Sequence, residues 1–212
     1  MSRKRRTYDS TSRKAGAAAT RLAILTAARQ LFLERGYAGT TMPSIAATAG
    51  VALDTVYATV GKKPALFRLL VETAISGRDN PVPADERDYV QAIRAERTAE
   101  GKLRIYAAAL RLIQARLAPL FQVLQTAALL DSDLQDLWRQ ISQRRANNMR
   151  LFVRDLAATG SLRTDLDEQT AADIVWSMNS SEFYILLVQQ RGWSEERFES
   201  WLVDAWTRLL LR

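Results

Sequence analysis

The fold of this chain is decided by the stretch TTMPSIAATAGVALDTVYATV, which runs from Thr40 to Val60. Thr41 comes just before Pro43, which is the order of residues that caps and opens a helix. That helix is expected to end near Gly50, and a second short element follows over about 52–60. Two short helices around one tight turn predict a helix-turn-helix, an arrangement that can hold a helix against a DNA groove.

One further helix is predicted on each side of this stretch. From about Thr20 to Arg35, apolar residues recur at helical spacing and form one stripe: Ile24, Ala28, Leu31 and Phe32. Gly36 followed by the apolar Tyr37 predicts a left-handed stop in which the tyrosine packs back on the last turn. After the stretch, Lys63 and Pro64 open a helix that continues to about Ser76. A lysine at a helix N-terminus opposes the macrodipole, so a bound phosphate explains Lys63 better than helix stability does.

The second short element is predicted to present one face to solvent. Val51 and Val56 can pack inward against the small side chains of the preceding helix. The residues left facing outward are Leu53, Asp54, Thr55, Tyr57 and Ala58. A tyrosine beside a threonine suits contacts to phosphates and base edges, so this face is the candidate nucleic-acid reading edge.

Charge along the chain also indicates a polyanion partner. The 212 residues carry a net charge of +7, but residues 1–78 hold 13 Lys/Arg and 4 Asp/Glu, whereas residues 79–212 hold 17 and 19. Phosphate neutralisation supplies most non-specific DNA affinity, which a basic end would favour. Residues 1–20 are expected to form a disordered basic arm that reaches DNA phosphates or a minor groove through Arg3, Lys4, Arg5 and Arg6. An inert solvated tail is the alternative.

Composition argues against an enzyme and against a metal site. The chain has no cysteine and no histidine, which removes thiolate ligands, disulfides, the commonest general base and the commonest metal ligand. Acid pairs occur at 131/133 and 165/167, but both lie at predicted helix starts, where carboxylates cap amides. We therefore expect no catalytic residues, no metal and no cofactor.

The sequence also indicates a cytoplasmic protein without a membrane partner. Its longest unbroken apolar runs, Ile105–Leu110 and Phe183–Val188, are far too short to span a bilayer. The basic N-terminus lacks the apolar segment of a signal peptide.

Beyond a linker at Gly77–Pro83, the chain is expected to be helical throughout. The predicted helices are about Ala84–Glu96, Ala99–Arg116, Pro119–Leu130, Asp133–Thr159, Asp167–Gln190 and Glu195–Leu211. The helix-end signals are a capping box of Ser132 with Gln135, C-cap glycines at Gly160 and Gly192, and a cap at Ser194. The predicted fold class is therefore all-α.

The last two helices are more apolar than a monomer surface requires. Their apolar residues follow helical spacing and form the predicted dimer interface: Phe183, Leu187, Phe198, Trp201, Leu202, Ala205, Trp206 and Leu209. Burial inside one subunit remains the alternative for each residue.

From Ile24 to Phe67 the chain resembles the TetR family of bacterial transcriptional regulators. The matching segment is ILTAARQLFLERGYAGTTMPSIAATAGVALDTVYATVGKKPALF, which contains the family's Gly-aromatic stop, Thr-Thr step, Ala-Gly-Val turn, Thr-Val-Tyr helix and helix 4 lysine. The resemblance implies a three-helix helix-turn-helix domain at 21–67 and a helical effector-binding and dimerisation domain at 68–212, connected by helix 4. It also implies that the two C-terminal helices form a four-helix bundle with those of a second copy.

Individual roles follow from the same resemblance. It implies phosphate contacts by Thr41, Tyr57 and Lys63, and base-edge reading by Leu53, Asp54, Thr55 and Ala58. The chain departs from the family pattern at Ala52, Thr59, Val60 and Pro64.

The resemblance further implies a small-molecule cavity in the C-terminal domain. Candidate lining residues are Phe121, Gln125, Trp138, Met149, Trp176, Asn179 and Tyr184. Ordinary core packing is the alternative for each. The sequence as a whole is interpreted as a homodimeric, ligand-responsive repressor that binds a palindromic operator on double-stranded DNA and is released by a small hydrophobic organic effector. A ligand-independent DNA-binding architectural protein is the alternative function.

Overall fold

A computed structural model describes residues 10–212, which are almost entirely helical and divide into two compact units. The first unit, called the head, ends at Leu70, and the second, called the body, begins at Val71. The helices of the head are α1 (Ser10–Gly39), α2 (Met42–Ala49) and α3 (Leu53–Val60). Helix α4 (Lys63–Ser76) begins in the head and ends in the body.

Helix α1 is longer than the sequence predicted. It begins at Ser10 rather than near Thr20, so residues 10–20 are helical and not disordered. Alanine is the strongest helix former, and the alanine-rich segment at 15–19 extends the helix toward the N-terminus. The predicted arm residues Arg3, Lys4, Arg5 and Arg6 lie outside the described residues. Gly36 has φ 68° and ψ 178°, which confirms the predicted interruption of the helix.

The head closes around an aromatic cluster. The predicted stripe of α1 is fully or almost fully buried. The rings of Phe32 and Tyr37 stack with centroids 5.6 Å apart, and Phe67 meets Phe32 edge-on at 5.1 Å. The buried Thr40 donates its hydroxyl to the carbonyls of Leu31 at 3.0 Å and Gly36 at 2.8 Å. Because Thr40 ties the end of α1 to the chain entering α2, it fixes the start of the helix-turn-helix.

The body is a layered bundle built on one long helix. After a 3-10 turn at Ala84–Glu86, its helices are α5 (Asp88–Ala95), α6 (Ala99–Ala128), α7 (Ser132–Ala157), α8 (Glu168–Met178), α9 (Ser181–Tyr184) and α10 (Glu195–Leu210). Helix α9 continues as a π-helix over Ile185–Gln190. An isolated antiparallel bridge between Leu162 and Leu211 is the only β pairing in the part of the chain described. The all-α prediction is confirmed.

Helix α6 does not break where the sequence predicted. Pro119 lies inside it, although a proline removes one backbone hydrogen bond and costs about 3 kcal/mol within a helix. Leu117, Leu120 and Leu124 are almost completely buried on either side of the proline. Burial of each such side chain is worth about 1.5–3 kcal/mol, so packing outweighs the proline.

Two predicted helix boundaries also require correction. The cap of α7 is Asp131, whose carboxylate accepts from the Leu134 amide at 3.1 Å, and not a box of Ser132 with Gln135. An aspartate one residue earlier adds favourable charge at the helix N-terminus. The helix predicted over 167–190 is interrupted after Met178, because the Ser180 hydroxyl caps a new helix by accepting from the Phe183 amide at 3.3 Å.

Helix α6 is also long and apolar enough to cross a membrane by length and composition alone. Half of its most apolar 18-residue window is buried inside the body. That burial is the pattern of a core helix in a folded domain.

Candidate nucleic-acid interface and candidate ligand cavity

The turn between α2 and α3 has the geometry that the sequence predicted. Thr41 caps α2 by accepting from the Ser44 amide at 3.2 Å, and the Ser44 hydroxyl donates back to the Thr41 carbonyl at 2.8 Å. Gly50 ends the helix with φ 68°, and its amide donates to the carbonyls of Ala46 and Ala47. Val56 is completely buried, so α3 is held by its inner face.

The outer face of α3 is open to solvent. Asp54, Tyr57 and Ala58 are exposed, with 45% of Tyr57 accessible, while Leu53 and Thr55 are half-buried. Three of the five residues predicted to face outward are thus exposed, and the other two are half-buried. We refer to Leu53, Asp54, Thr55, Tyr57 and Ala58 as the α3 edge.

The two other predicted phosphate contacts lie at helix N-termini. The exposed Thr41 hydroxyl accepts one hydrogen bond within its cap, and its O–H can still donate to an incoming oxygen. Lys63 begins α4, with its ammonium 4.1 Å from the centre of the Tyr37 ring. This cation–π contact gives Lys63 a partner in the head that the sequence did not reveal.

The body contains a cavity of about 720 Å³. Its apolar walls come mainly from one face of α6 and from α7, and include Tyr106, Leu110, Leu117, Phe121, Met149 and Phe152. A volume of this size can hold a drug-sized organic molecule.

A buried polar cluster forms one wall of the cavity at the break between α8 and α9. The Asn179 side-chain amide donates to the Tyr106 hydroxyl at 2.8 Å. Gln114 donates to the Asn179 carbonyl at 2.8 Å and accepts from the Ser181 hydroxyl at 2.8 Å. Oδ1 of Asn179 is buried and makes no hydrogen bond to any described residue. Burial raises the pKa of the Tyr106 hydroxyl, which therefore stays protonated.

Three of the seven residues predicted to line the cavity do so: Phe121, Met149 and Asn179. The other four lie elsewhere, each with its own partner. Gln125 donates to Glu182 at 3.2 Å, Trp138 packs on Phe121 with ring centroids 4.7 Å apart, Trp176 lies under the Arg145 guanidinium, and Tyr184 packs edge-on against Phe198 at 5.2 Å. These four residues are therefore not part of the cavity wall: the three aromatic residues pack against other side chains, and Gln125 is held by Glu182.

Tyr106, Gln114 and Arg145 also line the cavity, although the sequence did not predict them there. A signal for the first two was present, since 106, 110, 113, 114, 117 and 121 fall on one face of α6 at helical spacing. Nothing in the spacing of α7 distinguishes Arg145 from its neighbour Arg144.

The predicted dimer surface divides into two groups. Phe198, Leu202 and Trp206 are completely buried inside the body, so they are removed from the candidate interface. They belong to the side of α10 that packs on α6 and the other core helices. Phe183, Leu187, Trp201 and Ala205 are half-buried, and 41% of Leu209 is exposed. These five remain as the candidate contact surface.

Comparisons with known proteins agree with the architecture. Residues 24–70 match the family model of bacterial regulatory proteins, tetR family. A comparison with curated protein sequences found no match. NalD of Pseudomonas aeruginosa, the secondary repressor of the MexAB-OprM multidrug efflux pump, has a similar structure with a TM-score of 0.67. It is 20% identical, and the alignment covers 91% of this chain and 97% of NalD.

Two other solved structures show the same fold. A protein from Mesorhizobium loti described as a TetR-family transcriptional regulator is 20% identical, with a TM-score of 0.65 and coverage of 92% of this chain and 98% of that one. SmeT in complex with triclosan is 19% identical, with a TM-score of 0.65 and 92% coverage of both chains. Residues 24–70 are thus similar to the N-terminal domain of the bacterial regulatory proteins of the tetR family, and the described chain has the all-helical fold of these solved structures.

Proposed function

We propose that the chain is a cytoplasmic, homodimeric repressor that binds a palindromic operator and is released by a small organic ligand bound in the body cavity. The observation that carries this proposal is the α3 edge, which offers polar and aromatic side chains to solvent while the opposite face of the helix is locked in the core. The excess of positive charge in residues 1–78 supports a DNA partner.

Within this proposal, the residues of the head have two tasks. Thr41, Tyr57 and Lys63 contact phosphates and fix the register of the head on the duplex. The other four members of the α3 edge read base edges in the major groove. Asp54 can accept from a cytosine amino group and repels phosphates at wrong positions, so it contributes to specificity rather than to affinity.

Dimerisation would explain why the operator is palindromic. Phe183, Leu187, Trp201, Ala205 and Leu209 present apolar area that a second copy can cover. A two-fold dimer places two identical heads on half-sites about 34–36 Å apart, which corresponds to one turn of the duplex.

Ligand release is supported by the cavity and by two structural neighbours. NalD is a repressor, and SmeT was solved with triclosan, a small organic compound. A ligand opposes DNA binding if it stabilises a conformation of the dimer in which the spacing of the two heads does not match the two half-sites. A coupling of about 1–3 kcal/mol changes operator affinity about 5- to 150-fold, which is enough to switch transcription. No catalytic role is proposed for any residue.

The test is selection of bound fragments from random and genomic DNA with the purified full chain, followed by footprinting with and without candidate organic compounds. The proposal expects one protected palindrome, a dimer on that site and loss of protection with at least one compound. Broad coverage with little sequence preference would instead support the architectural alternative. A strictly monomeric protein on its preferred site would overturn the dimeric repressor.

A further inference from the structure

The walls of the body cavity carry more positive than negative charge. Its lining includes the five arginines Arg87, Arg94, Arg144, Arg145 and Arg154, but only two acids, Asp85 and Asp155. One of those acids is already engaged, because Asp155 pairs with the buried ammonium of Lys102 at 2.8 Å. Among the arginines, Arg144 pairs with Glu72 at 2.7 Å.

Arg145 differs from its neighbour in having no carboxylate partner. Its Nη2 donates to the Trp176 carbonyl at 3.3 Å, and its guanidinium lies over the Trp176 ring at 4.7 Å. Its Nε is buried and makes no hydrogen bond to any described residue. Burial lowers the pKa of Arg145, since desolvation disfavours its charged form. An arginine nevertheless stays protonated near neutral pH, so an unneutralised cation lies in the cavity wall.

Glu182 is the carboxylate that acts electrostatically on Arg145, but the two side chains do not form an ion pair. Oε1 of Glu182 accepts from Gln125 at 3.2 Å, while its buried Oε2 has no partner in the described chain. Glu182 is outside the cavity lining, whereas Arg145 is part of it. Arg145 is therefore part of the cavity wall, and the acid nearest to it in charge effect is not.

We propose that the effector is an amphipathic organic anion whose carboxylate or sulfonate pairs with Arg145 and whose apolar body lies between the aromatic walls of the cavity. The proposal rests on the ligand-responsive function proposed above and narrows its effector from any small organic ligand to an acidic one. Arginine offers two parallel N–H donors to such a head group, a geometry that suits planar anions. Tyr106, Phe121 and Phe152 supply the apolar surface for the rest of the molecule.

Other ligand classes fit the wall less well. A neutral apolar molecule would exclude water from Arg145 without replacing it, and an unpaired buried charge is strongly unfavourable. A cation would add repulsion from the lining arginines. An anion would replace the lost hydration of the guanidinium with a charge-assisted hydrogen bond.

The test uses two fluorescent dyes that share one scaffold. 1-Anilinonaphthalene-8-sulfonate is an anion, and N-phenyl-1-naphthylamine is the same aromatic body without the sulfonate. Both are titrated into the full chain and into Arg145→Gln, with Arg144→Gln as the matched control because its charge is already paired. The proposal expects the native chain to bind the anionic dye at least about tenfold more tightly than the neutral one, the scale of one charge-assisted hydrogen bond. Arg145→Gln should remove that preference and leave the neutral dye within about twofold.

A second variant tests the same charge without touching Arg145. Glu182→Gln removes the carboxylate that competes for the guanidinium, so it should tighten the anionic dye by about two- to fivefold and leave the neutral dye unchanged. Thermal melts of every variant accompany the titrations. If Glu182→Gln does not bind the anionic dye more tightly than the native chain does, the proposal is contradicted, even if Arg145→Gln folds poorly.

Three results would overturn the inference. The dyes could bind the native chain equally, Arg145→Gln could weaken both dyes alike, or Arg144→Gln could match its effect. In each case a neutral-dye signal still supports a ligand cavity. If neither dye binds, the ligand part of the proposed function fails as well, while operator binding by the same preparation tests the DNA part separately.

Discussion

Lys63→Ala is the sharpest test of how the head would hold DNA, because the structure gives this lysine two competing explanations. Its ammonium lies 4.1 Å from the centre of the Tyr37 ring, so it has a role within the fold. It also begins α4, where a cation opposes the helix dipole and a phosphate would be favourable. The two explanations predict losses of different size in different assays.

The expected magnitudes separate them. If Lys63 only stacks on Tyr37, its removal costs about 0.5–1 kcal/mol of folding stability and leaves DNA binding unchanged. If it also holds a phosphate, each head loses about 1.5–3 kcal/mol of binding free energy on any duplex. Loss of one phosphate contact per head also lowers the salt slope by about 0.9, or about 1.8 for a dimer.

The assay is fluorescence anisotropy with the selected operator and an unrelated duplex across a series of KCl concentrations. Lys62→Ala is the matched control, because Lys62 is adjacent and exposed and its substitution removes the same charge. We expect Lys63→Ala to weaken both duplexes by similar factors and to flatten both slopes more than Lys62→Ala does. Unchanged affinity and slope, together with a lower melting temperature, would refute the phosphate contact and leave only the stacking role.

Four further results are expected. Asp155→Ala should destabilise the body by about 1.5–3 kcal/mol in urea, the scale of one hydrogen bond to a charged group, because the Lys102 ammonium is only 4% exposed and keeps its hydrogen bond to the Ile93 carbonyl. Lys102→Met should cost less, because the Asp155 side chain is 35% exposed and can be hydrated. Thr40→Val should cost about 1–3 kcal/mol through loss of the hydroxyl proton that the Leu31 and Gly36 carbonyls share. Asp54→Ala should change the bases selected and leave the salt slope intact. Burial raises the pKa of Tyr184 from 10.0 to about 12. The neutral side chain therefore contributes fully to folding stability below pH 10, and this contribution is lost as the pH rises toward 12. Tyr184→Phe should flatten the fall in stability between these pH values, measured by urea unfolding.

Local signals were enough to predict the head. The helix stop at Gly36, the cap at Thr41 and the left-handed turn at Gly50 each depend on residues within four positions of one another. Such interactions can be read from sequence because the partners are fixed by chain geometry. The stacking of Lys63 on Tyr37 could not be read in this way, since it joins residues that only the closed head brings together.

In the body, long-range packing overrode local signals. Pro119 is a helix breaker by sequence, yet burial around it keeps α6 continuous. The apolar pattern of α10 was equally consistent with an interface and a core, and the contact with α6 decided that Phe198 and Trp206 are core. The cavity residues were partly missed for the same reason, because whether a side chain of α7 meets a cavity or a neighbour depends on the helix packed opposite.

The interruption between α8 and α9 links these observations. Sequence periodicity favoured one continuous helix, but Asn179 and Ser181 turn inward and bond to Tyr106 and Gln114 of α6. The same short segment forms a wall of the cavity and begins the helix that carries Phe183, a member of the candidate contact surface. A ligand that competes for the Asn179 hydrogen bonds therefore acts at the N-terminus of that helix. Within the proposed function, residues 179–181 are therefore the segment through which a ligand in the cavity would act on the candidate contact surface.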